Sequence, residues 1–199
     1  MKIEKLLETK FLKAADLQYK EGSHYFVATR HDFDKITAVT GKPVPDAATC
    51  YVIFNTPGKE PRLLLQYEYR YPVGGFLLSP PAGLIDGSEG PLETAKREIF
   101  EETGIEVKDD DRLFVVNPLV FSTPGMTDES NALVCAVVNA DESDLNNKHC
   151  ESTESFDGFE LLTKEEALEL LKRGTDKRGH YYPLYTYAAL SFFALDLWK

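Results

Sequence analysis

Tryptophan occurs once, methionine twice and cysteine three times in the 199 residues of this chain. Cys50, Cys135 and Cys150 are odd in number and far apart, so they offer neither a disulfide framework nor metal-ligand spacing. Idle thiols in a reducing cytoplasm are the reading they support. Nothing approaches the run of ~20 apolar residues that a membrane helix requires. The opening MKIEKLLETK lacks the uninterrupted apolar stretch of a secretory signal. Basic residues are short too, 22 Lys and Arg against 33 Asp and Glu, for a net charge of −11. Such a surface repels nucleic-acid phosphates, and no basic stripe offsets it. An anionic ligand would need local positive charge from a few arginines or from metal ions. His24, His31, His149 and His180 form no ligand spacing, and no serine sits in a nucleophile elbow.

What is present suffices for one domain of ordinary size with a small appendage, since 43% of residues are hydrophobic. Residues 9–30 read as two strand-like segments joined by a turn at Glu21-Gly22-Ser23. Residues 31–46, with Gly41, Pro43 and Pro45, read as a linker. The division expected is therefore 1–45 as an N-terminal strand segment and linker, and 46–199 as the main domain. In the latter, AATCYVIFN (47–55) and RLLLQYEY (62–69) look like strands, followed by a Pro/Gly-rich passage over 70–90. Further strands are expected at 112–121 and 131–140, separated by the loop STPGMTDES (122–130). Residues 141–156 are acidic and polar and read as a mobile connection. Two helices should close the chain, one from a capping box at Thr163 and Glu166 to about Arg173, the other over 183–198. Strands and helices intermixed in this way predict an α/β fold, a mixed sheet covered by helices.

The helix between these strands carries an unusual cluster. Gly90 and Pro91 start it and Gly104 ends it. Leu92, Ala95 and Ile99 form its apolar stripe. At about 100° per residue, Glu98 and Glu102 lie only ~40° apart beside that stripe, with Glu101 a further ~60° round. Like charges at this spacing repel by a few tenths of a kcal/mol per pair. A solvated acidic face is one explanation. Oxygen ligands gathered for Mg²⁺ or Mn²⁺ are the other.

Upstream residues favour the second. Five residues separate Gly83 from Glu89 and seven separate Glu89 from Arg97, where Arg97-Glu98-Ile99-Phe100-Glu101-Glu102-Thr103-Gly104-Ile105 begins. The pattern resembles the signature box of the Nudix hydrolases, G-x5-E-x7-R-E-U-x-E-E-x-G-U with U aliphatic, at every defined position. The resemblance implies an α/β/α sandwich with a mixed β-sheet. It also implies hydrolysis of a nucleoside diphosphate linked to a further group, with two or three Mg²⁺ ions (Mn²⁺ possible) to offset the diphosphate charge. By the same resemblance, Glu98 and Glu102 would be metal ligands, Glu101 would share or bridge, and the Ala82 carbonyl would add an oxygen. Arg97 would pair with a box glutamate such as Glu89, while Gly83 and Gly104 serve backbone geometry.

QYEYRYPVGGFLLSPPAGLIDGSEG, STPGMTDES and YPLYTYAALSFFAL are similar to passages of the ADP-ribose and ADP-sugar pyrophosphatase branch. That branch implies cleavage of an ADP-sugar to AMP and a sugar phosphate, and a homodimer whose small N-terminal β-strand segment serves dimerisation. Arg30 and Arg70 match its phosphate- or ribose-holding arginines, and Tyr25 and Phe26 its base-stacking positions. Glu129, on the loop after Pro124-Gly125, is the first candidate for general base, because a mobile loop can bring a carboxylate to the attacking water; Glu154 is the second. Two departures stand out: Pro124 lies 20 residues beyond Gly104, farther than usual, and Ser79 replaces a glutamate common before Pro-Ala-Gly. Other nucleoside diphosphate derivatives (a GDP-sugar, FAD, NADH or a dinucleoside polyphosphate) and a non-catalytic ADP-ribose sensor remain open at this point.

Overall fold

A computed structural model describes residues 1–146, 149–150 and 154–199. The middle of the expected 141–156 connection, at 147–148 and 151–153, lies outside the described residues. Three antiparallel strands, β1 (Lys2–Glu8), β2 (Lys13–Gln18) and β3 (Phe26–Thr29), form a separate N-terminal sheet in that order. The turn before β3 falls as expected, with Gly22 at φ 69° and Ser23 N–H donating to the Lys20 carbonyl. Strand β1 was not legible in KIEKLLE, because Lys and Glu occupy both of its faces and almost all of it is exposed. Residues 31–46 are more than a linker. Phe33 and Ile36 are buried with Ala15, Leu17 and Val27 in a small core of their own, and a single turn, α1 (Thr37–Thr40), follows.

The main sheet has seven strands: β4 (Ala47–Phe54), β5 (Arg62–Arg70), β6 (Gly75–Ser79), β7 (Ala82–Leu84), β8 (Arg112–Phe121), β9 (Ser130–Val138) and β10 (Phe156–Leu162). Its order is β10-β5-β4-β9-β8, with β6 on β5 and β7 on β4; β4 and β9 run parallel and every other pair antiparallel. Both faces are covered. Tyr51, Ile53, Leu63, Leu65, Leu133 and Cys135 face helices α3 (Lys164–Arg173) and α4 (Leu184–Ala194). Their neighbours Cys50, Val52, Leu64, Val134 and Ala136 face Ala95 and Ile99 of α2 (Pro91–Thr103). The alternation of one period-2 strand pattern between two helical layers is an α/β/α sandwich.

Three differences from the sequence reading have local causes. β6 and β7 sit inside the Pro/Gly-rich passage, divided by Pro80-Pro81, whose rings cannot donate to a ladder. β10 is interrupted by Gly158 at φ 93°, where the register against β5 shifts, so its alternation breaks. The last helix stops at Ala194 instead of continuing to 198. Asp196 then adopts φ 59°, and the turn returns Trp198 to the core, stacked on Phe193. The capping box at Thr163 and Glu166 forms as expected. No helix among the described residues is long and apolar enough to cross a membrane.

Candidate active site

The sheet divides where β4 changes partner. Val52–Phe54 pair with β5, but Ala47–Thr49 pair with β7, while β5 from Gln66 onward pairs with β6. Beside this division opens a cleft of about 590 Å³. It is lined from α2 by Arg97, Glu98 and Glu101, and from β7 by Ala82, Gly83 and Leu84.

Helix α2 is built as its sequence implies, with Gly90 as extended N-cap, Pro91 in the first turn and Gly104 at φ 75° after the last. Burying Ala95 and Ile99 under the sheet draws the adjacent glutamates inward: Glu98 is 7% exposed and Glu102 only 1%. Glu102 accepts hydrogen bonds from Gln66 Nε2 at 2.6 Å and from the Ala82 N–H at 3.1 Å. Its carboxyl is pushed well above the usual range, first by burial and then by the nearby charges of Glu68, Glu98 and Glu154. Burial likewise raises Glu98 to about 7, although its contact with Arg97 pulls the other way.

Arg97 binds the loop to the helix. It donates to the Leu84 carbonyl at 3.0 Å, to Glu89 at 3.1 to 3.3 Å, to Glu98 at 2.6 Å and to Glu101 at 3.0 Å. Glu89, held by Arg97 and by the Thr94 hydroxyl, is shifted below the usual carboxylate range. Gly83 has no room for a side chain, because a Cβ there would overlap the Glu98 carboxylate. Arg97 and Glu89 are thus joined across the loop that leads into α2, and Gly83 lies directly against Glu98.

Glu98, Glu101 and Glu102 offer hard oxygen donors only, a donor set that fits Mg²⁺ or Mn²⁺ and not a soft metal. Glycine at 83 leaves the Glu98 carboxylate the space it occupies beside β7. Among the described residues no group of three or more His, Cys, Asp and Glu side chains is already disposed as a cage. In this arrangement Arg97 supplies the counter-charge of Glu98 and Glu101.

The cleft also gathers Arg30, Arg70, Glu129 and Glu154 from four separate places in the chain. Arg30 Nε lies 2.9 Å from Glu129 Oε2. Two hydrogen bonds hold the loop that carries Glu129: Ser122 N–H donates to the Glu129 carbonyl, and Ala28 N–H of β3 to the Met126 carbonyl. Tyr25 and Phe26 are not among the lining residues. Val27, next to Phe26 on β3, points into the small N-terminal core, so Phe26 faces outward and is 65% exposed, while the Tyr25 hydroxyl donates to the Gly125 carbonyl. Sequence reasoning missed Glu68, Ser122 and Tyr185, which line the cleft as well. Glu68 was accessible to a period-2 reading of β5, which places it with Gln66 and Arg70. Ser122 and Tyr185 meet at 2.7 Å across 63 positions, which no local signal reveals.

Against known proteins, the family model described as NUDIX domain matches residues 43–185. The ADP-ribose pyrophosphatase of Saccharomyces cerevisiae is 40% identical over 82 residues, which are 41% of this chain and 34% of that protein. The ADP-sugar pyrophosphatase of Mus musculus is 29% identical over 109 residues, 55% of this chain and 48% of that one. The matched stretches thus span less than half the length of either relative. A solved structure titled as an ADP compounds hydrolase superposes with a TM-score of 0.61 at 18% identity, covering 100% of this chain and 91% of its own. That last likeness is one of fold.

Proposed function

This chain belongs to the NUDIX family, and from that premise we propose that it hydrolyses the pyrophosphate bond of ADP-ribose or a related ADP-sugar, giving AMP and a sugar phosphate. The observation that carries the reading is one cleft holding both the box glutamates Glu98 and Glu101 and two arginines, Arg30 and Arg70, drawn from outside the box. The names of the yeast and mouse relatives support the adenosine diphosphate class of substrate.

Divalent ions, Mg²⁺ or Mn²⁺ in a number of two or three, would be held by Glu98, Glu102, Glu101 and the Ala82 carbonyl, and would supply charge neutralisation at the diphosphate and an acidified water. The chain's own groups do the rest. Arg30 and Arg70 bind anionic oxygens and fix the substrate's orientation. Arg97 keeps the box loop and α2 in register. Glu129 takes the proton of the attacking water, with Glu154 as the competing base. The test is product analysis: purified protein with Mg²⁺, and in parallel with Mn²⁺, should release AMP from ADP-ribose in preference to FAD, NADH, GDP-sugars or dinucleoside polyphosphates. A panel in which another of these is the faster substrate would replace the assignment.

The N-terminal sheet leaves Leu6, Phe11, Tyr19 and Phe26 more than half exposed. We propose that a second copy of the chain covers them, in a cytoplasmic homodimer. Sedimentation equilibrium should give a dimer mass, and a monomer at micromolar concentration would remove this part.

A further inference from the structure

Strand β5 carries a polar row on its α2 side. Leu64 lies in the core beneath α2, and Gln66, Glu68 and Arg70 follow at every second position. The row rises from the buried floor of the cleft to its mouth: Gln66 is fully buried and engaged with Glu102, whereas the Arg70 side chain is 43% exposed. Alternate residues on a strand are ~6.7 Å apart, so an arginine at the strand's end is free to extend away into solvent. Arg70 does not. Its Nη2 lies 2.6 Å from Oε2 of Glu68, a carboxylate that is 13% exposed. The contact folds the guanidinium back along its own strand, toward the end where Gln66 meets Glu102. Burial raises the Glu68 carboxyl above its ordinary range, and the Arg70 charge is the leading influence in the other direction.

We propose that Glu68 is a positioning residue: it clamps the Arg70 guanidinium inside the cleft, ready for an anionic oxygen of a nucleoside diphosphate derivative. This rests on the reading of the cleft as a diphosphate site. A flexible arginine loses rotamer freedom when it takes up a ligand, and one already clamped loses less. The pair leaves Arg70 with N–H donors to spare for phosphate oxygens. Glu68 thus reaches the substrate through Arg70.

The experiment is calorimetric titration with the α,β-methylene analogue of ADP-ribose, which cannot be cleaved, in the presence of Mg²⁺, alongside steady-state kinetics with ADP-ribose. Glu68→Ala should weaken analogue binding about tenfold, the equivalent of ~1.4 kcal/mol, and raise KM similarly while kcat moves less than about threefold. Glu68→Gln, which keeps an acceptor for Arg70 without the charge, should fall between, and serves if the alanine variant does not fold. In an Arg70→Ala background, Glu68→Ala should add nothing, because the two residues act as one unit. Unchanged or tighter binding in Glu68→Ala, a loss confined to kcat, or full additivity with Arg70→Ala would each overturn the clamp. Wild-type protein that binds the analogue yet leaves ADP-ribose intact would remove the proposed hydrolysis and keep the clamp. Wild-type protein that binds no diphosphate compound would remove both.

Discussion

Glu98→Gln is expected to lower turnover of ADP-ribose about a thousandfold, or ~4 kcal/mol in the barrier. The amide keeps the shape of the side chain and an oxygen, but not the negative charge that would hold a divalent ion over the diphosphate. The same substitution should help the fold at alkaline pH. Glu98 titrates near 7 in the folded chain against an ordinary 4.5. Between these values the folded state holds the extra proton, so its contribution to stability is complete below 4.5 and is lost as pH rises through about 7. Above that, an ionised carboxylate sits largely out of water with Arg97 as its main relief. In metal-free buffer the variant should therefore melt above wild type at pH 8, with the gap closing toward pH 5 by differential scanning fluorimetry. Glu102→Gln should behave alike, because the buried Gln66 Oε1 has no partner among the described residues and would accept the new amide N–H. Turnover within tenfold of wild type in both variants would mean that these acids do not hold the ions. Loss of turnover with analogue binding retained separates a catalyst from a mere sensor of ADP-ribose.

Gly83→Ala should cost about a hundredfold in kcat, ~2.7 kcal/mol, although only a methyl group is added and nothing in the cleft is removed. The backbone at 83 is not in the left-handed region, so alanine is not strained there. The effect must come from the Cβ, which overlaps the Glu98 carboxylate and forces it out of place. A carboxylate moved by about an ångström is enough for a loss of this size. Added to Glu98→Gln, the same change should do little more, since its target is already disabled. Gly75→Ala, where a Cβ meets open space, is the control and should leave kcat unaltered. Equal losses at both glycines would point to general destabilisation of the sheet and not to Glu98.

How much of this was legible beforehand depended on how local each signal is. Helix α2 could be placed to the residue, because its cap, its stripe and its stop lie within fifteen positions, and the burial of Glu98 and Glu102 follows from their angle to Ala95 and Ile99. Strands β4 and β9 read as continuous apolar runs because both of their faces are covered. β6, β7 and β10 did not, since their pairing is set by partners far along the chain while Pro80, Pro81 and Gly158 suppress the local pattern. In the site the same division holds. The glutamates come from one helical turn, but the pairing of Arg30 with Glu129 joins residues 99 positions apart and depends on how the N-terminal sheet docks. Tyr25 and Phe26 lie outside the cleft lining for that reason too: their residue types suit stacking, and the register of β3 turns Phe26 outward.

The docking of that sheet has its own consequence. Arg30 is delivered to the cleft by an element whose interior, around Ala15, Leu17, Val27, Phe33 and Ile36, is separate from the two large cores. So few buried side chains make a cooperative unit of low stability, able to open and close many times while the seven-stranded sheet stays shut. Each opening would withdraw Arg30 and leave the glutamates with Arg70 and Arg97 alone, a cleft with less to offer a diphosphate. In hydrogen exchange, amides of β2 and β3 would then lose protection well before those of β4 and β9. Ligand held through Arg30 would slow exchange there most.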